Sequence, residues 1–314
     1  MSSLVSGSDL ESLLGVIAAE TPDPRAGIFG PGSVTWTINR ESAVFLGAGR
    51  AALLQIAHPW VAAALAQHSS LLGDPIARFH NTFRVVYTMV FGTLGQALTA
   101  ARRLHTLHTG IQGELPESVA SWPRGVHYEA NEIDALRWVY ATLVESAVLA
   151  YEWVLPLAAN QREEYYQHSR IMAALFGIPA AALPADWSAF AAYTGEMMTR
   201  PHVLGVTPAS RTLAQAVLSG AGAWIHPPHW YRALTAAWIP EPLREAFGLC
   251  LDSRAANRAR RWLLPVYLTL PPMMRFVGPY HEALARLRGR NPGLVARATN
   301  RFWIGQPALP FSEE

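Results

Sequence analysis

The chain has 314 residues, of which 51% are hydrophobic and only 15% charged; all 25 basic residues are arginine, against 23 acidic ones, for a net charge of +2. This near-balance calls for no nucleic-acid partner, and the absence of lysine excludes Schiff-base and lysine general-base chemistry. A single cysteine, Cys250, excludes an intrachain disulfide and any centre built from several thiolates.

So low a charged fraction predicts helices buried over wide faces, with an apolar cavity or an apolar surface patch. No apolar run is clean enough to span a bilayer over ~18 residues. The N-terminus carries Asp9, Glu11 and Glu20 and no basic n-region, so it does not read as a secretory signal, and a cytoplasmic protein is expected.

In chain order, residues 1–20 have the Leu/Val spacing of a short amphipathic helix or a loose arm. Residues 21–35 are rich in Pro and Gly and read as a loop. The β-branched stretch 35–38 predicts a brief extended piece. A helix follows over 41–57. His58-Pro59 breaks it, because proline lacks a donor and disfavours helix at the residue before it; a second helical piece covers 60–68. Asp74-Pro75 is a capped start for a helix over 75–91, stopped at Gly92. The stretch 96–113 (QALTAARRLHTLHTGIQG) predicts the next helix, and 114–127 a loop. Asn131 with Asp134 resembles a capping pair ahead of a long helix over 132–154. Further helices are expected over 161–176, 187–199 (capped by Asp186), 207–219, 228–238, 242–251, 253–264 and 280–288, with an irregular tail from 300. These patterns predict an all-α protein, a single large helical domain of about ten or more helices, in three parts: an arm and loop over 1–40, a helical body over 40–290, and a tail over 291–314. Cys250, between Leu249 and Leu251, is expected to be a small buried hydrophobe.

Two helices carry candidate chemistry. On a helical wheel of 96–113, Ala97, Ala101, Leu104 and Ile111 share a face with His108, which places an imidazole on a side expected to be buried. Such a group needs a hydrogen-bond partner or a metal. His105, three residues earlier, lies at the margin of that face, where it is a surface group, a supporting group or a second ligand. On 75–91, Arg78 shares a face with Thr82, Val85, Val86 and Met89. An arginine inside an apolar stripe needs a carboxylate from the protein or an anionic group on a ligand. Arg84 and His80 fall on the other side, where solvent is expected. His58, with Gln55 and Arg50 one and two turns upstream, reads either as a capping histidine with a buried polar network or as part of a pocket wall. There is no GxSxG elbow, P-loop, Rossmann glycine pattern or HExxH. A metal site in this chain must therefore be sparse in protein ligands. Haem meets that condition, because the macrocycle supplies four nitrogens and the protein one imidazole.

Several segments resemble the catalytic domain shared by bacterial latex clearing proteins (rubber oxygenases) and the fungal oxygenase that cleaves the farnesyl tail in mycophenolic acid biosynthesis. They are GAGRAALLQIAHPWVAAALAQHS, DPIARFHNTFRVVYTMVFGT, LHTLHTGIQG, YEANEIDALRWVYATLVES and YEWVLPLAANQREEYYQHSRIMAALFGIP, in order over roughly residues 40–200, with a weaker likeness after 225. The resemblance implies an all-helical fold holding haem b. It puts the axial iron ligand at His108 and the Arg-x-x-x-Thr pair beside the haem at Arg78 and Thr82. His105, Arg50, His58 and Tyr140 are carried as further candidates around the cofactor. The chain departs from the family twice: Tyr140 stands where a histidine is usual, and Asn81 where rubber-cleaving members can offer a lysine to the iron.

The expected function is a haem-dependent oxygenase that oxidises, or cleaves at a C=C bond, an apolar small molecule or isoprenoid chain with O2. The alternatives are a haem protein that does not oxygenate (a sensor, carrier or peroxidase-like scavenger) and a haem-free module for apolar ligands. Contact with a membrane surface is compatible with each, and no nucleic-acid partner is expected.

Overall fold

Capping side chains set half of the α-helix starts among the described residues. In the computed structural model, which describes residues 4–69, 74–200, 202–220 and 226–311, Ser6, Ser33, Asp74, Thr93, Glu132, Asp186, Thr207 and Asp252 each accept a hydrogen bond from the backbone N–H three residues on. The elements run α1 (Gly7–Glu20), α2 (Val34–Asn39), a 3-10 turn (Ser42–Gly47), α3 (Ala48–Ile56), α4 (Pro59–His68), α5 (Pro75–Phe91) and α6 (Leu94–Thr109). A small antiparallel ribbon follows, β1 (Gln112–Glu114) with β2 (His127–Glu129), in the register Gln112↔Glu129. Then come α7 (Ile133–Val154), α8 (Ala159–Leu175), α9 (Trp187–Thr199), α10 (Pro208–Ser219), α11 (His229–Trp238) and α12 (Glu241–Ala246). The chain closes with α13 (Ser253–Thr269), α14 (Pro272–Arg275), α15 (Gly278–Leu287) and α16 (Leu294–Ile304). The protein is all-α, as its sequence pattern predicts.

The long helix α7 runs through the middle of the core and touches the 3-10 turn, α3, α8, α9 and α13. It buries Trp138, Ala141, Val144 and Val148, and the Trp138 indole donates to the Leu54 carbonyl at 2.9 Å. Burying each large side chain contributes roughly 1.5–3 kcal/mol. Two glycines let α3 approach its neighbours: a Cβ on Gly47 would overlap the Ser146 carbonyl of α7, and one on Gly49 would stand 2.7 Å from the Thr235 hydroxyl of α11. Helices α5 and α6 form a hairpin around Gly92–Thr93, and α15 and α16 pack against α5.

Five sequence expectations are corrected. Residues 35–38 are helical, because Ser33 caps α2 and burial of Trp36 and Ile38 outweighs β-branched propensity. The 41–57 stretch is divided at Gly47, where the tight approach to α7 favours a 3-10 turn over a continuous α-helix. Helix α13 continues through Pro265 to Thr269 instead of stopping at 264. The start of the tail is helical, since α16 runs to Ile304 and ends on the left-handed Gly305 (φ 69°). Cys250 is exposed, not buried.

Candidate functional site

Elements α3, α5, α7, α10, α11 and α16 surround a cavity of about 390 Å³ with a mainly apolar wall. Helix α5 contributes two adjacent stripes at i, i+4 spacing, Phe79 with Phe83 and Arg78 with Thr82. Phe45, from the 3-10 turn, packs on Phe83 with ring centroids 4.5 Å apart and stacks on Trp303 of α16 at 3.9 Å and 11°. Tyr231 of α11 also lines the cavity: its hydroxyl accepts from the Gly49 N–H at 2.9 Å and donates to the Phe45 carbonyl at 3.0 Å. Burial pushes this phenol up to about 12, so it remains protonated.

The wall from α16 is fixed by the face of α5 expected to meet solvent. The His80 Nε2–H donates to the Phe302 carbonyl at 3.0 Å, and the Arg84 guanidinium donates twice to the Ile304 carbonyl, at 3.0 and 3.1 Å. The end of α16 exposes carbonyls without intrahelical partners, and basic side chains satisfy them. His80 and Arg84 are therefore clamps for the C-terminal helix, and His80 also borders the cavity.

Arg78 lines the cavity and forms no ion pair or side-chain hydrogen bond among the described residues. Its surface is open to the cavity, yet the protein around it removes enough water to lower its pKa. The two observations agree because cavity surface is accessible without being bulk solvent. The Thr82 hydroxyl donates to the Arg78 carbonyl at 3.0 Å, which leaves its lone pairs as acceptors.

His108 lies at the C-terminal end of α6, which the hairpin brings back beside the start of α5. Its burial is less complete than the wheel predicts: Ala97 and Ala101 are buried, while Leu104, His108 and Ile111 are half-buried. It is not among the side chains that line the cavity. The imidazole has no hydrogen-bond partner among the described residues. Its pKa is depressed to about 4, by burial first and then by the positive charges of Arg78 and His105. The ring is therefore neutral near pH 7, the form that can donate a lone pair to a metal.

The other candidates sit elsewhere. The His105 Nε2–H donates to the Val5 carbonyl at 3.1 Å, tying α6 to the segment before α1. Arg50 is 3% exposed and spends its donors on Glu145 (both carboxylate oxygens), Ser146 at 2.9 Å and the Trp238 carbonyl at 2.9 Å. His58 is 5% exposed, lies beside the Trp60 and Trp122 rings, and has a buried Nδ1 without a partner; burial depresses its pKa to about 4. It starts α4 without forming a side-chain cap bond. Tyr140 borders a smaller pocket of about 60 Å³, which shares Ala48, Ala51, Phe83 and Leu143 with the main cavity. The Ser169 hydroxyl already donates to the Tyr166 carbonyl at 2.7 Å, so Tyr140 is the donor in its 2.7 Å bond to Ser169. Burial raises the Tyr140 pKa, and the phenol stays protonated.

The arrangement brings Arg78 and Thr82 together on the cavity, with His108 close enough for the Arg78 charge to act on it, and sets His58, Arg50, His105 and Tyr140 apart. Sequence reasoning missed Phe45, Tyr231 and Trp303. Trp303 gives a residue-level signal only as part of the Phe302-Trp303 aromatic pair, because its place in the wall depends on the tail returning to α5.

The family described as "ER-bound oxygenase mpaB/B'/Rubber oxygenase, catalytic domain" matches residues 35–269, and the chain belongs to this family. It is thus an oxygenase-like catalytic domain. The match ends before α14, so Phe302 and Trp303 lie outside it. No curated protein and no solved structure matches the chain. Among the described residues no group of three or more His, Cys, Asp or Glu side chains is placed to hold a metal, and no helix is long and apolar enough to cross a membrane.

A neutral, unpartnered imidazole and an unpaired guanidinium are the side-chain types that would serve a b-type haem, for an axial bond and a propionate; the aromatic wall belongs to the cavity that Arg78 lines and His108 does not.

Proposed function

We propose that the protein is a haem-dependent oxygenase acting in the cytoplasm on an apolar small molecule with O2. His108 is the iron ligand, and Arg78 and Thr82 are the polar groups at the reaction chamber. The observation that carries this reading is the unpartnered Arg78 guanidinium on the wall of an apolar cavity, with the unpartnered His108 imidazole of the adjoining helix close enough to feel its charge. Neither group is spent on a protein partner among the described residues, so both are available to a ligand.

When bound, the iron supplies the O2 chemistry. The remaining tasks fall to side chains of this chain. His108 is held neutral by its surroundings and presents a lone pair at pH 7. Arg78 offers a charged donor to an anionic group. Thr82, with its proton committed to the Arg78 carbonyl, offers acceptors to a donor such as water. Phe45, Phe79 and Phe83 exclude bulk water and hold an apolar chain by contact area. For an alkene substrate, one O2 would add across one C=C bond and give two carbonyl products.

The test is the absorption spectrum of protein expressed with ample haem, beside that of His108→Ala. A Soret band in the wild type and its loss from a variant with unchanged far-UV circular dichroism is the expected result. A colourless wild type overturns the haem reading.

A second reading, a haem protein that does not oxygenate, draws on the engagement of Tyr140 with Ser169 where the family usually places a histidine. Steady O2 consumption with an added alkene separates the two, since it occurs only for the oxygenase.

A further inference from the structure

Charge is unevenly distributed along this chain. Between residues 253 and 312 lie ten of the 25 arginines and a single acid, Glu282. That acid is buried and engaged by Asn300 and the Leu309 N–H. The C-terminal region is therefore strongly basic in a protein of net charge +2.

The same region holds much of the exposed apolar surface. Trp262 is 72% exposed, Val266 57%, Met273 55% and Met274 65%, with Leu268 exposed beside them. They form one stretch, from the second half of α13 through the turn at Leu270–Pro271 into α14. The arginines come just before it. Arg254, Arg258, Arg260 and Arg261 occupy the first half of α13, are exposed, and form no ion pair or side-chain hydrogen bond among the described residues. Elsewhere Arg50, Arg102, Arg137, Arg162 and Arg200 are each paired with a carboxylate. Helix α13 buries only Ala256 and Ala259 and packs mainly on α11. It thus presents a basic first half and an apolar second half to its surroundings.

We infer that the second half of α13 and α14 dock on an anionic membrane surface. The apolar side chains enter the boundary between headgroups and acyl chains, while the arginines remain among the phosphates. Trp262 follows Arg258 by one helical turn, so the two side chains lie on the same face of α13. Exposed tryptophan favours this interface, and arginine stems extend along apolar surface while their heads reach phosphate. An anionic surface gives the four arginines, which have no carboxylate partner among the described residues, a counter-charge that a second copy of the same basic helix does not supply. The inference is independent of the cofactor assignment.

Vesicle flotation of the full-length protein tests it. One set of vesicles is phosphatidylcholine alone, and the other contains about one-third phosphatidylserine. The wild type is expected to float with the anionic set, to remain largely unbound with the neutral set, and to dissociate as salt is raised. Arg258→Glu with Arg261→Glu should weaken binding by more than about tenfold, since each basic residue near such a surface contributes roughly fivefold. Trp262→Ser with Met274→Ser should weaken binding while leaving its salt dependence in place. All four sites are exposed, and circular dichroism verifies the fold. The inference is overturned by no binding to anionic vesicles, by equal binding to both sets, or by charge-reversal variants that bind as the wild type does. A concentration-dependent dimer that charge reversal disperses, without vesicle binding, overturns it equally.

Discussion

Arg50 and Arg78 show two ways in which this fold treats a guanidinium away from bulk water. Arg50 is sealed in the core and pairs in bidentate fashion with Glu145, with Ser146 and the Trp238 carbonyl taking further donors. Arg78 stands one helix away on the cavity wall, where water is depleted, with no partner of its own among the described residues. The protein supplies a carboxylate where an arginine braces the core and withholds one where the arginine faces a cavity. Satisfied and unsatisfied charge distinguish framework from site more sharply than burial does, since the better buried arginine is the structural one.

Substitutions can break or sharpen that contrast. The largest effect is expected for Arg50→Ala, which strands the Glu145 carboxylate and should cost about 3–5 kcal/mol in chemical denaturation. A loss below 1 kcal/mol would remove Arg50 from the framework.

His58 comes next, through pH. Its folded pKa is about 4 against an ordinary 6.5, because burial keeps the ring neutral. The unfolded chain takes up a proton below 6.5 and the folded chain does not. The stability linked to this site is therefore complete above pH 6.5, declines as pH falls toward 4, and changes no further below that. The span is on the order of 3 kcal/mol. His58→Gln should flatten that part of the profile, and an unchanged slope would assign the acid sensitivity elsewhere.

Tyr140→Phe removes a single neutral donor, since Ser169 keeps its bond to the Tyr166 carbonyl, and should cost about 1 kcal/mol without altering the absorption spectrum. Arg78→Ala should change stability least, within about 0.5 kcal/mol, because it breaks no pairing among the described residues. Under the proposed function it should nonetheless weaken retention of haem on dilution. A large loss of stability would place Arg78 with Arg50 as framework.

Helix starts were legible in the sequence at Asp74 and Asp186, each through a bond three residues long. The break at His58-Pro59 was equally local. Ser33 caps a helix where the sequence pattern predicted an extended piece, and Glu132, not the pair Asn131 and Asp134, caps α7. The pairing of Arg78 with Thr82 on one face followed from helical periodicity alone. His108 was found on its wheel, but the degree of its burial was not, because that depends on how far α6 projects past its neighbours.

The destinations of polar groups lay beyond any sequence window. His80 and Arg84 were read as solvated, yet they clamp the end of α16 more than 200 residues away in the chain. Arg50 and Glu145 meet across 95 residues, and Phe45 meets Trp303 across the length of the molecule.

The sequence by itself determined an all-helical chain, most of its helix boundaries, the absence of lysine and of clustered cysteine, and the candidate pair on α5. Periodicity, capping and proline chemistry act within a few residues, so they can be read from the order of residues. Tertiary structure alone decided which arginine found a carboxylate, which histidines were spent on backbone carbonyls, and that the tail closes the cavity wall. Those outcomes depend on distances between helices, and close packing fixes these only once the whole chain has assembled.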